Sequence, residues 1–173
     1  MRLRVVVGDL AREPADAVVR AVAAPHARLA GRDEHDLLRA AGPAAESAFA
    51  ELISLTEPGG WTAGRAVSTT GGDLAARWLI HVSVPVFGIH RPEHLLAAAY
   101  RSVLEVADDL GVTTLAMAPL GLSHPYWPID IATRVATATL TNTITRVREV
   151  RLVVRTPAAL EVMAEAVARE APA

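Results

Sequence analysis

The amino-acid sequence predicts a three-layer α/β/α sandwich with a central mixed, mostly parallel sheet. Short apolar segments rich in valine alternate along the chain with longer segments whose apolar residues recur at helical spacing. The segment at residues 16–22 is β-branched and apolar enough to be buried on both faces, which is typical of strands covered on both sides by helices. The 173 residues contain no internal repeat and no linker, so we expect a single domain over residues 1–173.

The predicted elements follow one another in a regular order. Strands are expected at residues 2–7, 16–22, 65–69, 78–82, 113–117 and 150–155. Helices are expected at residues 36–55, 92–110, 130–144 and 157–169. The second helix begins with Pro92 and is followed by Gly111, a typical start and stop. The first is interrupted at Gly42 and Pro43, so two helices are expected to meet there.

Composition excludes several classes of function. The chain has no cysteine, which removes disulfides and thiol nucleophiles, and no lysine, which removes Schiff-base chemistry. A net charge of −2 disfavours nucleic acid as a partner. No apolar run approaches the roughly 20 residues that span a bilayer, and no signal peptide is evident, so we expect no membrane partner and a cytoplasmic location. His90 and His94 lack a third ligand, so neither a metal nor a cofactor is predicted.

The predicted fold indicates where a ligand binds. In open α/β sheets, ligands occupy the crevice beyond the carboxyl ends of the strands. Three segments are expected there, at residues 8–10, 23–36 and 118–128. Asp9 offers a carboxylate to an amine such as the amino group of a purine. The two longer segments precede helices, whose N-terminal amides suit phosphate. A carboxylate for a base and amides for phosphate together suit a nucleotide-like ligand.

Seven segments, in this order, resemble the macro domain family. They are GDL at 8–10, DAVV at 16–19, RAAGP at 39–43, TAGRA at 62–66, TTGGDLAARWLIHV at 69–82, LLAAAY at 95–100 and GVTTLA at 111–116. The resemblance covers residues 5 to 155 and implies the fold predicted above, together with binding of ADP-ribose or a close relative. It also implies that Asp9 holds the adenine amino group and that the backbone around Leu10 supports the same ring. The alternative for Asp9 is a helix N-cap or turn aspartate.

The two phosphate loops depart from the family pattern. Family members that hydrolyse ADP-ribose linkages carry an NAAN-like run and then several glycines, whereas residues 20–23 read RAVA here and Gly31 alone remains of the glycines. The second loop resembles PAISTGVYGFP in the family and reads APLGLSHPYWP at residues 118–128. The usual catalytic asparagines are therefore absent. Ligand contacts in these loops are expected from Ala23, Gly31, Gly121, Leu122 and Ser123.

Ionisable side chains in these loops are candidates for replacing the missing groups. Arg32 is expected to bind phosphate through its planar guanidinium. Asp33 or Glu34 is a candidate general base, and His124 is a candidate ligand contact and proton donor. The alternative for residues 32–36 is a solvated charge run that starts a helix, with its acidic residues favoured by the helix dipole.

Aromatic and buried polar residues near the crevice allow two interpretations. Tyr126 is expected at the ligand, and Tyr126 and Trp127 suit stacking on a base or a ribose, with ordinary packing as the alternative. Arg20 is expected in or near the crevice. His81 lies in the middle of a predicted strand and resembles the family's structural histidine, so we expect it in the core.

Three hypotheses of function remain. The first is a binding module for ADP-ribose, a related adenine nucleotide metabolite, or an ADP-ribosylated protein or small molecule. The second is a hydrolase acting on an ADP-ribose-like or nucleotide-linked substrate, in which Asp33 or Glu34 activates water and His124 is the acid. The third is an interaction role with a vestigial crevice. The fold alone does not choose among them.

Overall fold

One six-stranded sheet forms the centre of the computed structural model, which describes residues 1–23, 32–56, 61–88, 90–122 and 127–170, without the side chains of 23, 32–35 and 56. The strands are β1 (Arg2–Val7), β2 (Ala17–Ala23), β3 (Ala66–Thr70), β4 (Trp78–Val84), β5 (Thr114–Met117) and β6 (Glu149–Val154). Their order is β1-β6-β5-β2-β4-β3. Neighbouring strands are parallel except β3, which pairs with β4 in the antiparallel direction.

Helices cover both faces of this sheet. They are a 3₁₀ helix (Leu10–Arg12), α1 (Arg32–Thr56), α2 (Pro92–Asp109), α3 (Ile129–Asn142) and α4 (Pro157–Glu170). The side chains of α2, α3 and α4 share the larger apolar core on one face, and α1 packs on the other with the 3₁₀ helix beside it. The predicted α/β/α sandwich with a mixed, mostly parallel sheet is confirmed.

Strand β2 shows how the sheet serves two cores. Its residues alternate in direction, as strand geometry requires. Val19 and Ala21 belong to the larger core, whereas Val18 and Val22 pack on the α1 face. Each fully buried aliphatic side chain of this kind contributes about 1.5–3 kcal/mol to folding. A strand that is buried on both faces is therefore apolar at every position except Arg20, and this pattern made the strand predictable.

Asp16 precedes β2 and is not part of it, a small correction to the predicted strand. Its Oδ2 accepts hydrogen bonds of 2.9 Å from the Thr113 amide, the Thr113 hydroxyl and the Thr114 amide. Burial raises the pKa of Asp16, but these hydrogen bonds outweigh it, so the pKa lies below the ordinary value. Asp16 therefore holds the start of β2 against the start of β5, at the edge of the sheet opposite the predicted ligand site.

The interruption predicted in the first helix is confirmed at Gly42. This residue has φ 78° and ψ 173°, a conformation essentially restricted to glycine. The carbonyl of Ala41, released from the helix there, accepts a hydrogen bond of 3.0 Å from the Asp73 amide. The helix begins at Arg32, four residues earlier than the predicted start at residue 36. Residues 32–35 thus form its first turn, as the helix-starting alternative requires.

Candidate functional site

Three adjoining cavities lie where β1, β5 and β6 end. The polar groove, of about 850 Å³, runs between the 3₁₀ helix and the first half of α1. The inner pocket holds about 30 Å³, and the apolar pocket, of about 240 Å³, lies between the end of β5, the end of β6 and α4. The groove and inner pocket share Gly8, Asp9, Ala11, Asp36 and Arg155. The cavities occupy the edge at which the sequence predicts a crevice.

Asp9 lies at the junction of the polar groove and the inner pocket. Its side chain is 60% exposed. Oδ1 accepts a hydrogen bond of 3.1 Å from the Ala11 amide, and Oδ2 lies 3.6 Å from Nε of Arg12. Asp9 therefore caps the 3₁₀ helix, as the alternative interpretation predicts. A carboxylate offers about four acceptor positions, so the cap leaves acceptor capacity for a ligand amine, and the adenine role stays a prediction.

The other residues predicted to contact a ligand from segments 8–10 and 23–36 are described to different extents by the structure. Leu10 is half-buried and lines the inner pocket. Ala23 is the last residue of β2. Arg32, Asp33 and Glu34 lie in the first turn of α1, but their side chains, and Gly31 as a whole, are outside the described residues. Their roles in phosphate binding and catalysis stay predictions.

The loop at residues 118–128, the second of the two predicted to bind phosphate, is anchored at both of its described ends. The Leu120 amide donates a hydrogen bond of 2.9 Å to the hydroxyl oxygen of Tyr100, and the Trp127 amide donates one of 2.9 Å to the carbonyl of Gly121. Gly121 has φ 89°, and a Cβ there would lie 2.6 Å from Cδ1 of Trp127. Leu122 lines the apolar pocket. Ser123, His124 and Tyr126 lie outside the described residues, so their roles stay predictions.

Trp127 packs as part of the core, which is the second of its two predicted interpretations. It is 4% exposed, and its Nε1 donates a hydrogen bond of 2.9 Å to the carbonyl of Pro85. The ring of Phe87 meets it edge-on, with centroids 5.2 Å apart. A tryptophan with its N–H bound to protein and its faces buried is unsuited to stack on a ligand. Its role is to hold the end of the loop.

Arg20 is buried beneath α1 and lines none of the three cavities, which corrects its expected position near the crevice. It is 4% exposed, and its Nη1 lies 3.4 Å from Nδ1 of His81. Its guanidinium also lies over the ring of Phe49, 5.1 Å from the centroid. The direction of the side chain follows from strand alternation, because residues 18, 20 and 22 of β2 all face α1. The sequence resemblance did not indicate that the Arg20 side chain is buried.

His81 is a core residue, as predicted. It is fully buried, and its Nε2 lies 2.9 Å from the Thr69 hydroxyl, which itself donates to the Thr70 carbonyl. Nε2 therefore carries the proton and Nδ1 faces Arg20 as an acceptor. Burial, followed by the positive charge of Arg20, lowers the pKa of His81 to about 3. The imidazole is neutral at physiological pH and supplies no acid for catalysis.

Arg155 is one of the cavity-lining residues that the sequence prediction missed, as are Arg12, Arg39 and Asp73. Arg155 follows β6 directly and lines all three cavities. Its side chain is 56% exposed, and Nη2 lies 3.5 Å from Oδ2 of Asp36. Oδ1 of Asp36 lies 2.7 Å from Nη2 of Arg39. The predicted strand at residues 150–155 included Arg155, whereas β6 ends at Val154. A prediction that ended the strand one residue earlier would have placed Arg155 among the residues of the ligand edge.

Two further findings concern metals and membranes. Within the described ranges, no group of three histidine or acidic side chains is arranged to hold a metal ion. His90 and His94, considered as a metal pair, are both exposed. Among those same residues, no helix combines the length and the apolar character that crossing a bilayer requires.

Comparison with known proteins places these observations in a family. The family model of the macro domain matches residues 23–136. A macro domain-containing protein of Streptomyces coelicolor is 38% identical and aligns over 94% of this chain and 96% of its own length. This chain belongs to the macro domain family. Among other macro domain relatives, an O-acetyl-ADP-ribose deacetylase of Salmonella typhimurium is 35% identical over 84% of this chain and 80% of its own length.

Solved macro domain structures share the fold. A mutant of the Oceanobacillus iheyensis macrodomain matches with a TM-score of 0.88 at 25% identity, covering 96% of this chain and 87% of the other. The same macrodomain with ADP matches with a TM-score of 0.87 at 24% identity, covering 96% and 90%. The resemblance that the sequence motifs predicted is therefore confirmed for the family and for the fold.

Proposed function

We propose that this macro domain binds ADP-ribose or a closely related adenine nucleotide in the cavities beside Asp9. The observation that carries the proposal is the position of Asp9, which lines both the polar groove and the inner pocket. An adenine needs an acceptor for its amino group and an apolar surface for its ring. Asp9 supplies the first, and Ala118, Val153 and Leu10 supply the second.

The relatives support this ligand class. A mutant of the Oceanobacillus iheyensis macrodomain was solved with ADPR, and the Trypanosoma brucei macrodomain was solved in complex with ADP. Partners carrying ADP-ribose, whether proteins or small molecules, belong to the same proposal. The expected cytoplasmic location also stays a prediction, which fractionation of cells that express a tagged chain would test.

Calorimetric titration tests the proposal directly. We expect heat of binding with ADP-ribose and with AMP, and weaker binding of ribose 5-phosphate, which lacks the base. Asp9→Asn keeps one oxygen to cap the 3₁₀ helix but presents an amide donor to the ligand amine. The variant should therefore lose about 1.5–3 kcal/mol of binding free energy, the value of a hydrogen bond to a charged group.

The control for this titration is Asp109→Asn. Asp109 is exposed at the end of α2 and lines none of the three cavities, so its variant should bind like the wild type. Absence of heat with every adenine ligand would refute the proposal. Equal affinity of the Asp9→Asn variant and the wild type would remove Asp9 from the site.

Hydrolysis is the second candidate, because relatives 34% to 36% identical are named O-acetyl-ADP-ribose deacetylases. In this proposal Asp33 or Glu34 activates water and His124 donates the proton, since the asparagines of the family pattern are absent. Release of acetate from O-acetyl-ADP-ribose should fall in Glu34→Gln and in His124→Ala. Equal rates in wild type, Asp33→Asn, Glu34→Gln and His124→Ala would contradict these assignments.

A further inference from the structure

The polar groove leads away from the apolar surface on which a base would lie. Asp9 lines both the groove and the inner pocket. From Asp9 the inner pocket continues to Ala118 and Val153, whereas the groove continues between the 3₁₀ helix and α1 to Arg39 and Asp73. A base that packs on Ala118 and Val153 with its exocyclic amino group at Asp9 therefore directs that amino group toward the groove.

Two arginines face this groove from its opposite walls. Arg12 belongs to the 3₁₀ helix and Arg39 to α1. Nε of Arg12 lies 3.6 Å from Oδ2 of Asp9, and Nη2 of Arg39 lies 2.7 Å from Oδ1 of Asp36. Each contact occupies one nitrogen of a guanidinium that carries several N–H donors. Both side chains therefore keep donors for an anionic group in the groove.

The described lining of the groove has a positive end and a negative end. Asp36 is shared by two arginines, because its Oδ2 also lies 3.5 Å from Nη2 of Arg155. Asp73 lies at the other end, next to the kink of α1. An anion is thus favoured near Asp9 and disfavoured farther along the groove. The charged residues of the positive end are three arginines and two aspartates, namely Asp9, Arg12, Asp36, Arg39 and Arg155.

We propose that the positive end of the groove binds a carboxylate-bearing substituent on the exocyclic amino group of the adenine. The inference rests on the proposed function and names a ligand class for it, adenine nucleotides with a short acidic substituent on that amino group. The unsubstituted amino group has two hydrogens, so one substituent leaves the other hydrogen for Asp9. The carboxylate then accepts charge-assisted hydrogen bonds from Arg12 and Arg39.

The groove is less suited to a neutral or a cationic substituent. An apolar group would displace water from the two guanidinium groups without replacing its hydrogen bonds. A short cationic group would lie beside Arg12 and Arg39 and would not reach Asp73. The sign of the charge on the substituent is therefore the property that the experiment varies.

Calorimetric titration with three nucleotides tests the proposal. They are AMP, AMP methylated on its exocyclic amino group, and adenylosuccinate, which is AMP with a succinyl group on the same nitrogen. Adenylosuccinate should bind about three- to tenfold more tightly than AMP, a modest gain because both arginines are exposed. The methylated nucleotide should bind no more tightly than AMP. Raising the ionic strength from about 0.05 M to about 0.5 M should reduce the gain, because salt screens exposed charges.

Substitution of the two arginines assigns the gain to the groove. Arg12→Gln and Arg39→Gln keep a polar side chain but remove its charge. The readout is the ratio of the affinities for adenylosuccinate and AMP, which should fall in each variant and reach about one in the double variant. Arg134→Gln is the matched control, since Arg134 is an exposed arginine of α3 that lines none of the three cavities. Its ratio should equal that of the wild type.

Three outcomes would overturn the proposal. They are a ratio of one or less in the wild type, an undiminished ratio in the double variant, and an equal gain from the methylated nucleotide, which would indicate size instead of charge. Absence of binding by AMP, ADP-ribose and adenylosuccinate alike would refute the proposed function and this proposal with it. Binding of AMP without a gain from the succinyl group would refute this proposal alone.

Discussion

Individual residues of this macro domain divide into buried polar groups that serve the fold and exposed ones that face the cleft. Arg20 and His81 belong to the first class, with partners and burial that remove them from ligand chemistry. Asp9 and Arg155 belong to the second, since both keep more than half of their side-chain surface exposed beside the cavities. Polarity in the sequence alone therefore did not distinguish a structural residue from a ligand contact.

His81 makes the stability of the protein depend on pH. Its pKa is about 3 in the folded chain, against an ordinary value of 6.5. Between these values the unfolded chain binds a proton that the folded chain does not. The free energy of unfolding should therefore fall as the pH falls through this window, by up to about 1.4 kcal/mol per pH unit.

Denaturant unfolding between about pH 7 and about pH 5 measures this slope. His81→Gln, whose amide keeps one donor and one acceptor for Thr69 and Arg20, should show a smaller slope than the wild type. His94→Gln changes an exposed histidine and serves as the control. If the free energy of unfolding of His81→Gln depended on pH as steeply as that of the wild type, His81 would have the same pKa in the folded and the unfolded chain.

At the scale of elements, the sequence predicted every strand and every α-helix of the described chain, because the pattern of apolar residues sets the period of each. The 3₁₀ helix at Leu10–Arg12 was not predicted, since three residues are too few to show a period. The errors of the prediction concern the residues at which the predicted elements begin and end. The predicted second strand included Asp16, whose side-chain hydrogen bonds to Thr113 and Thr114 are long-range and leave no local pattern. The start of α1 was placed four residues late because its first turn is charged. The conformations of residues 24–31 and 123–126 lie outside the described residues.

Gly42 sets the angle between the two halves of α1. Its φ of 78° and ψ of 173° are strained for any residue with a side chain. A Cβ there would also collide with Oδ2 of Asp73. We expect Gly42→Ala to lower the free energy of unfolding by about 1–3 kcal/mol.

Thermal or denaturant unfolding checks this expectation. Gly111→Ala, which adds a methyl group to open space at φ 70°, should cost less than Gly42→Ala. A Gly42→Ala variant as stable as the wild type would show that the two halves of α1 join without the glycine conformation.

For the whole molecule, the location of the site was predictable and its residues were predictable in part. A mostly parallel sheet brings the ends of β1, β5 and β6 to one edge, so Asp9, Leu10 and Leu122 were expected there and lie there. Arg155 was not expected there, because the predicted strand ran to residue 155, whereas β6 ends at Val154 and Arg155 lines the cavities.

An NMR titration of the backbone amides shows residue by residue whether ADP-ribose binds at this edge of the sheet. ADP-ribose should shift the amide signals of residues 8–11, 118, 120–122 and 153–155, while those of residues 113–114 at the opposite edge should stay unchanged. Shifts confined to the opposite edge, or no shifts with ligand in excess, would contradict binding at this edge.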